Sequence, residues 1–292
     1  MAVPSSPASR PVPSLALPEL RILPVADLLL HERHDAQRCD PLVQRLADEQ
    51  VLRNPPIVAP IGDGDARCVV LDGANRVTAF ERLGVAHIAA QLVPYAGGSS
   101  EVVLDCWHHL VTGVATRDFA AALAQVPGLA VEPADGAHAR ALLARREAIA
   151  AIAYPGGGHC TVRAEGTLHE RVARLNDMVE LYRCAAQVHR VSTDRIDALL
   201  PQHGEAVTAL VLFTRHDPSE IVELARVGAA LPAGITRHVI ARRALRLDLP
   251  LEVLAGPESL ADKNAWLEEW LRAKVAQRQV RYYQESTFVF DE

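Results

Sequence analysis

Residues 69–85 read VVLDGANRVTAFERLGV, an apolar run that ends in an aspartate and a glycine and then continues as a helical pattern. A strand that stops at Asp72 leaves Gly73 free to turn sharply. The residues after it open a helix whose first backbone N–H groups have no partner within the helix. Such an end attracts anions, through the free amides and the positive end of the helix dipole. Arg76 falls in the first turn, where an acid would complement the dipole better, so a cation there suits a negative ligand shared with the amides. The ligand this points to is phosphate.

On either side of this turn the pattern is mixed. LRILPVADLLLHE, from Leu20, predicts a short strand and a turn. CDPLVQRLADEQVL (39–52) has helical spacing, with Asp40 and Pro41 as cap and first-turn proline. NPPIVAPI reads as extended, GDGD as a turn, ARCVVLD as the strand before the motif, and GANRVTAFERLGV as a helix closed by Gly84. HIAAQLVPY is a further strand, which makes residues 20–96 a compact α/β unit.

After the small-residue linker AGGSS the pattern changes. EVVLDCWHHLVTG predicts a strand, AHARALLARREAIA a helix, and IAAIAYPGGGHCTVRAEG a hairpin turning at its glycines. Leu168 to Val188 predicts a long amphipathic helix, Ala206 to Thr214 a buried strand, and Asp217 to Leu231 a helix started by Asp217 and Pro218. Residues 97–292 thus form a second α+β domain. Residues 1–19, rich in proline and serine and without a basic start and unbroken apolar run, predict a flexible tail rather than a secretory signal.

Composition narrows the function. The chain has 292 residues, 49% apolar and 23% charged, the balance of an ordinary globular protein. A net charge of −6 withholds the basic surplus of a protein that lives on nucleic acid. No apolar run is long enough to span a bilayer, so no membrane association is expected. Five cysteines, Cys39, Cys68, Cys106, Cys160 and Cys184, lack CxxC spacing and are odd in number, which fits a reduced, cytoplasmic setting.

Three clusters can carry chemistry. HERHDAQR places Glu32 between His31, Arg33 and His34 after an apolar run; it reads as a charged loop, and its HxxH pair has no third ligand to make a zinc site. DGANR is the turn described above. The third is GITRHVIARRALRLDLPL, with RYYQESTFVFDE at the end of the chain. A helix carrying Arg237, Arg242, Arg243 and Arg246 would face either solvent or DNA phosphates.

Taken in order, LLLHERHDAQR, NPPIV and VVLDGANRVTAFERLGVAHIAAQLVPY resemble the ParB/sulfiredoxin-like fold, and within it the free L-serine kinases of the SerK and SbnI type. The resemblance continues through Trp107 and His109, the run Gly234 to His238 and RYYQESTFVFDE, and so covers Leu20 to Glu292. It implies an α/β (α+β) chain: a ParB/sulfiredoxin-like nucleotide-binding domain, then a mixed α/β domain completing the serine site. Where some relatives carry histidines after the glycine, this chain has Ala74 and Asn75, which leaves ATP and ADP both open as donor. Sulfiredoxins place a nucleophilic cysteine in this turn; its absence here argues against reduction of a sulfinic acid.

The implied reaction is phosphoryl transfer from ATP or ADP to the hydroxyl of free L-serine. Such transfer asks for positioning, charge stabilisation and a carboxylate to accept the hydroxyl proton, and Glu32 suits that role. Asp72 to Arg76 would hold the nucleotide phosphates. Asp72 either caps the helix or holds Mg²⁺. Arg38 is a second phosphate clamp or a partner of Asp35 or Asp40. By the same resemblance Trp107 walls the serine site, Thr236, Arg237 and His238 make polar contacts, and Arg237 pairs with the substrate carboxylate. O-phospho-L-serine would then feed 2,3-diaminopropionate and siderophore synthesis. The rival reading is a ParB-like DNA-binding transcriptional regulator in which DGANR binds nucleotide as a switch and the Arg237–Arg246 helix reads DNA.

Overall fold

The chain folds around two sheets, seen in a computed structural model that describes residues 17–95 and 101–283. Most of the expected tail (1–16), the linker AGGSS and residues 284–292 of the terminal motif lie outside the described residues. The first sheet comes from β1 (Glu19–Pro24), β2 (Leu28–Leu30), β4 (Ile57–Gly62), β5 (Asp65–Asp72) and β6 (His87–Leu92). Between them lie α1 (Ala36–Glu49), β3 (Val51–Leu52) and α2 (Ala74–Arg82). The strand order is β1-β6-β4-β5-β2, with β2 parallel to β5, β4 parallel to β6 and the other pairs antiparallel.

Next in the chain are β7 (Val102–Cys106), β8 (His108–Thr112), α3 (Thr116–Leu123), β9 (Ala130–Ala134), α4 (Gly136–Ala144), β10 (Ala150–Ala153) and β11 (His159–Arg163). They are followed by α5 (Leu168–Arg183), β12 (Gln187–Val191), α6 (Leu200–His203), β13 (Val207–Phe213) and α7 (Pro218–Arg226). The second sheet, β12-β8-β13-β10-β11-β9, is antiparallel throughout. The chain closes with β14 (Thr236–Ile240), β15 (Leu249–Pro250), α8 (Leu251–Ala255) and α9 (Leu260–Ala276). β14 pairs with β7 as a two-stranded ribbon, and β15 pairs with β3.

The unbroken apolar run of β5 has a simple cause: both faces of its sheet are covered. Successive side chains point to opposite faces. Val69 and Leu71 join a core shared with α3, α5, α7 and the second sheet, whereas Cys68 and Val70 join a core shared with α2, α8 and α9. The final helices therefore return to the first sheet, and Asn264 of α9 bonds both the N–H and the carbonyl of Ile22 on β1. A third cluster, with Leu110, Ala151 and Leu210, fills the other face of the second sheet.

Several local expectations are revised. α1 starts at Ala36 behind Asp35, so Pro41 lies inside it; the carbonyl it leaves unbonded is that of Gln37, an exposed residue. EVVLDCWHHLVTG is two strands, because Trp107 donates its backbone N–H to Ile235 O (2.7 Å) and leaves the ladder between β7 and β8. α5 ends at Arg183, and Gln187 begins a strand. α7 spans Pro218–Arg226 rather than reaching Leu231, and Asp217 and Glu220 form its capping box.

The expected arginine helix at 237–246 is absent. Thr236–Ile240 is strand, rich in β-branched residues that favour the extended form. The following backbone is pinned by side chains of the first unit. Gln91, 2% exposed, donates to Arg242 O (2.7 Å) and accepts from Ala244 N–H (2.8 Å), and Asn54 Oδ1 accepts from Arg246 N–H (2.9 Å). Backbone groups held this way cannot enter a helical ladder.

Candidate active site

A cleft of about 740 Å³ opens where the carboxyl end of β5 and the start of α2 face the β14 segment. Every residue singled out above as catalytic, nucleotide-binding or substrate-binding lines it: Glu32, Arg38, the run Asp72 to Arg76, Trp107, and Thr236 to His238. The two halves of the chain meet because Leu231 bridges to Glu32. Leu231 N–H donates to His31 O (2.7 Å) and Arg33 N–H donates to Leu231 O (2.8 Å).

That bridge brings Glu32 beneath the Gly234–Thr236 turn. Its Oε1 accepts from Ile235 N–H (3.1 Å), Thr236 N–H (2.6 Å) and the Thr236 hydroxyl (2.6 Å). Its Oε2 accepts from Gly234 N–H alone (2.9 Å). One carboxylate oxygen is thus saturated and the other keeps acceptor capacity toward the cleft. Gly234 is required here for two reasons: its φ is +79°, and a Cβ would fall on the Arg190 guanidinium.

The Asp-Gly turn has the expected form with different partners. Gly73 (φ +102°) is the N-cap of α2 and no side chain caps the helix, so Asp72 is not its cap. Asp72 Oδ2 instead bonds Arg243 Nη1 (2.5 Å) and lies 3.6 Å from Arg76 Nη2. Burial pushes the Asp72 carboxyl up, but Arg76 and Arg243 outweigh it and hold the group below the usual aspartate range. Arg76 folds back beside Gly73, and its Nη1 donates to Asn54 O (2.8 Å) and Pro55 O (2.9 Å), tying down the preceding loop. Asn75 Oδ1 accepts from Asp35 N–H (2.9 Å), which orients its amide nitrogen as the remaining donor.

Further cations stand along the wall. Asp35 pairs with Arg183 (3.2 Å) and Asp40 with Arg82 (2.7 Å), so Arg38 pairs with neither. Arg33, Arg38, Arg45 and Arg190 all line the cleft, and none has an ion-pair partner among the described residues. Arg190 comes from β12 of the second sheet; burial works against its charge and the Glu32 anion supports it.

On the opposite wall Arg237 lies over the Trp107 ring (4.5 Å to its centroid) and 3.8 Å from Asp105, which also pairs with Arg215 (2.9 Å). His238 is buried and bonds the Tyr95 hydroxyl (2.9 Å); burial, with the neighbouring His31, lowers its pKa to about 3, so it is neutral. His109 does not reach the cleft. It is 1% exposed and bonds the Tyr182 hydroxyl (2.7 Å).

Sequence reasoning missed Arg243, Arg190 and His31. Arg243 was hidden in an arginine-rich run that reads as a solvated face. Arg190 carries no local signal on a strand with no buried residue. His31 directly continues the apolar run LLL, and that continuation was the available hint of its burial.

Comparison with known proteins follows the same outline. The chain is 22% identical over 275 residues to the ATP-dependent L-serine kinase SbnI of Staphylococcus aureus, covering 94% of this chain and 97% of that one. A free serine kinase solved in complex with AMP superposes with a TM-score of 0.68 at 18% identity, over 83% of this chain and 98% of that one. SbnI with a C-terminal truncation, from Staphylococcus aureus, superposes with a TM-score of 0.65 at 18% identity, over 89% and 97%. No family model matches the chain. The α+β fold is the one those solved structures share.

Proposed function

We propose that this chain is a free L-serine kinase, transferring the terminal phosphoryl group of ATP or ADP to the serine hydroxyl and releasing O-phospho-L-serine. The observation that carries the reading is Glu32: a carboxylate fixed by three amides and a hydroxyl, with one oxygen left to accept a proton, on the wall of a cleft that also holds the Asp-Gly turn. Its full-length similarity to an ATP-dependent L-serine kinase supports the same conclusion.

The chemistry follows from that layout. The α2 amides and Asn75 hold the nucleotide phosphates, and Arg38 and the other unpaired arginines of the wall neutralise them. Arg76 joins them at the turn, while its Nη1 holds the loop at Asn54 and Pro55 in place. Serine lies between Glu32 and the phosphates, so that its hydroxyl donates to Glu32 Oε2 as the oxygen attacks phosphorus. A base so placed contributes on the order of 10² to 10⁴ in rate. Trp107 and Arg237 form one wall of the amino-acid pocket, with Arg237 facing the substrate carboxylate and His238 offering a neutral edge. Thr236 contributes through Glu32, since its hydroxyl is already engaged there.

Asp72 suits Mg²⁺: its Oδ1 accepts no hydrogen bond from the described residues, and magnesium usually takes one or two carboxylates beside phosphate and water. No group of three or more acidic, histidine or cysteine side chains is placed to hold a metal ion among the described residues, so phosphates and water would complete the coordination. A magnesium ion bound there would spread the charge of the transferring phosphoryl group.

The two sheet units divide the labour, the segment from 20 to 96 taking the nucleotide and the remainder completing the serine site. The cytoplasm suits the five unpaired thiols, four of them buried, and no helix of the described residues is long and apolar enough to cross a membrane. The product has the chemistry of a precursor for 2,3-diaminopropionate and so for siderophores. The DNA-reading alternative loses its reading helix, since residues 236–240 are a strand that helps wall the cleft. The deciding experiment incubates the protein with L-serine, Mg²⁺ and either ATP or ADP, and measures O-phosphoserine by mass spectrometry. Absence of product with both nucleotides refutes the proposal.

A further inference from the structure

Behind Glu32 runs a line of hydrogen bonds that the phosphoryl transfer itself does not require. His31 is 4% exposed; its Nδ1 lies 2.6 Å from Val70 O and its Nε2 lies 2.8 Å from Thr236 Oγ1, which in turn lies 2.6 Å from Glu32 Oε1. A backbone carbonyl only accepts, so Nδ1 carries a proton in every state of this chain. The Thr236 hydroxyl has one proton and two claimants, the carboxylate oxygen and the imidazole nitrogen. With Glu32 ionised and His31 neutral, two protons serve three gaps.

We propose that the Thr236 hydroxyl is a two-position rotor between Glu32 and His31, and that His31 thereby sets how firmly Glu32 holds the proton it takes from the substrate. In the resting protein the hydroxyl points to the anionic Oε1, the stronger acceptor. When the substrate O–H bond breaks and an O–H bond forms at Glu32 Oε2, Oε1 becomes the carbonyl oxygen of a neutral acid. The hydroxyl then swings to His31 Nε2, and no proton leaves the chain. His31 is a positioning residue here: the acceptor it offers stabilises the protonated state of Glu32 and makes the carboxylate a stronger base.

The surroundings supply the neutral imidazole this needs. Burial lowers the His31 pKa, against the opposing pull of Glu32, the Val70 carbonyl and Asp72; His216 adds to the lowering. The His238 ring packs edge-on at 5.2 Å and is itself neutral. Glu32 in turn faces Arg190. The kinase reading enters only in naming the hydroxyl that gives up the proton, so the first test needs no turnover.

Long-range ¹H–¹⁵N spectra of the full, ligand-free chain should show His31 as the Nδ1–H tautomer from about pH 6 to 8. Glu32→Gln, whose uncharged amide mimics the protonated acid, should move the His31 Nε2 resonance upfield as it gains the Thr236 proton, and adding Thr236→Val should move it back. An Nε2–H tautomer, or an Nε2 resonance that ignores Glu32→Gln, overturns the rotor. His31→Asn keeps a donor to Val70 O and removes the acceptor. It should lower kcat about tenfold and move the acid limb of the kcat profile about one pH unit lower, with KM for serine unchanged. In a Thr236→Val background the same substitution should leave that limb in place. An acid limb identical in His31→Asn and wild type also overturns the rotor. If the spectra behave as expected but wild type makes no phosphoserine, the rotor stands and the kinase reading falls.

Discussion

Replacing Glu32 with glutamine separates what this side chain does for the fold from what it does for chemistry. The glutamine oxygen can occupy the Oε1 position and keep the bonds to Ile235 N–H and Thr236 N–H, while the Thr236 hydroxyl turns to His31 Nε2. Its NH₂ must then face Gly234 N–H, which now bonds Oε2 at 2.9 Å, so two donors meet. Leaving that amide unpaired costs about 1–3 kcal/mol of stability, measurable as a fall in the urea midpoint without a change in slope. The catalytic loss is of a different size. Without a proton acceptor, turnover should fall by a factor on the order of 10² to 10⁴, or about 3–5 kcal/mol of barrier. Nucleotide affinity, followed by calorimetry with AMP or ADP, should change less than about threefold, because the amides and arginines proposed to hold phosphate are untouched. Turnover measured as phosphoserine by mass spectrometry checks the chemistry. A folded Glu32→Gln protein within about tenfold of wild-type turnover refutes Glu32 as the proton acceptor.

Other outcomes follow from the same geometry. Gly234→Ala places a Cβ on Arg190 at a φ of +79°; it should cost about 2–4 kcal/mol from backbone strain and overpacking, read by urea unfolding, and it should lower turnover by loosening the turn that grips Glu32. Because the Asp72 carboxyl is held below its ordinary value, its pairing adds stability that is present above the unfolded aspartate range near pH 4 and is lost as pH falls through the lower folded value. Asp72→Asn should therefore flatten the fall of stability on that acid side, as urea titrations below about pH 4 would show. Arg76→Lys, one bond shorter and with a single nitrogen, cannot hold Asn54 O and Pro55 O while also standing beside Asp72 as the guanidinium does, and should cost about 1–3 kcal/mol in unfolding experiments. Arg38→Ala, at an exposed position, should leave stability within about 0.5 kcal/mol and weaken nucleotide binding several-fold.

The legible part of the site was the part written in consecutive residues. VVLDGANR specifies strand, turn and open helix end through short-range rules, and the structure bears out each of those elements. The same rules leave out the distant partners. Asp72 reads equally well as a helix cap, yet its carboxylate is claimed by Arg243, 171 residues later in the chain. Arg76 reads as a phosphate ligand, and no local pattern shows that its Nη1 also ties down the carbonyls of the 54–55 loop. The run from Arg237 to Arg246 reads as a helix because its arginines mimic a polar face, but Gln91 and Asn54 capture its backbone.

By itself the sequence determined the mixed α/β class, the strand–turn–helix around Asp72 and Gly73 and the placing of Glu32 after an apolar strand, since all of these follow from nearest-neighbour sterics, side-chain period and hydrogen-bond demand within a few residues. Only the tertiary structure decided that Glu32 meets the Gly234–Thr236 amides, that one of its oxygens stays open, and that a neutral histidine stands behind it. The reason is physical: hydrogen bonds across some two hundred residues depend on which backbone groups packing leaves unpaired, and no local pattern records them.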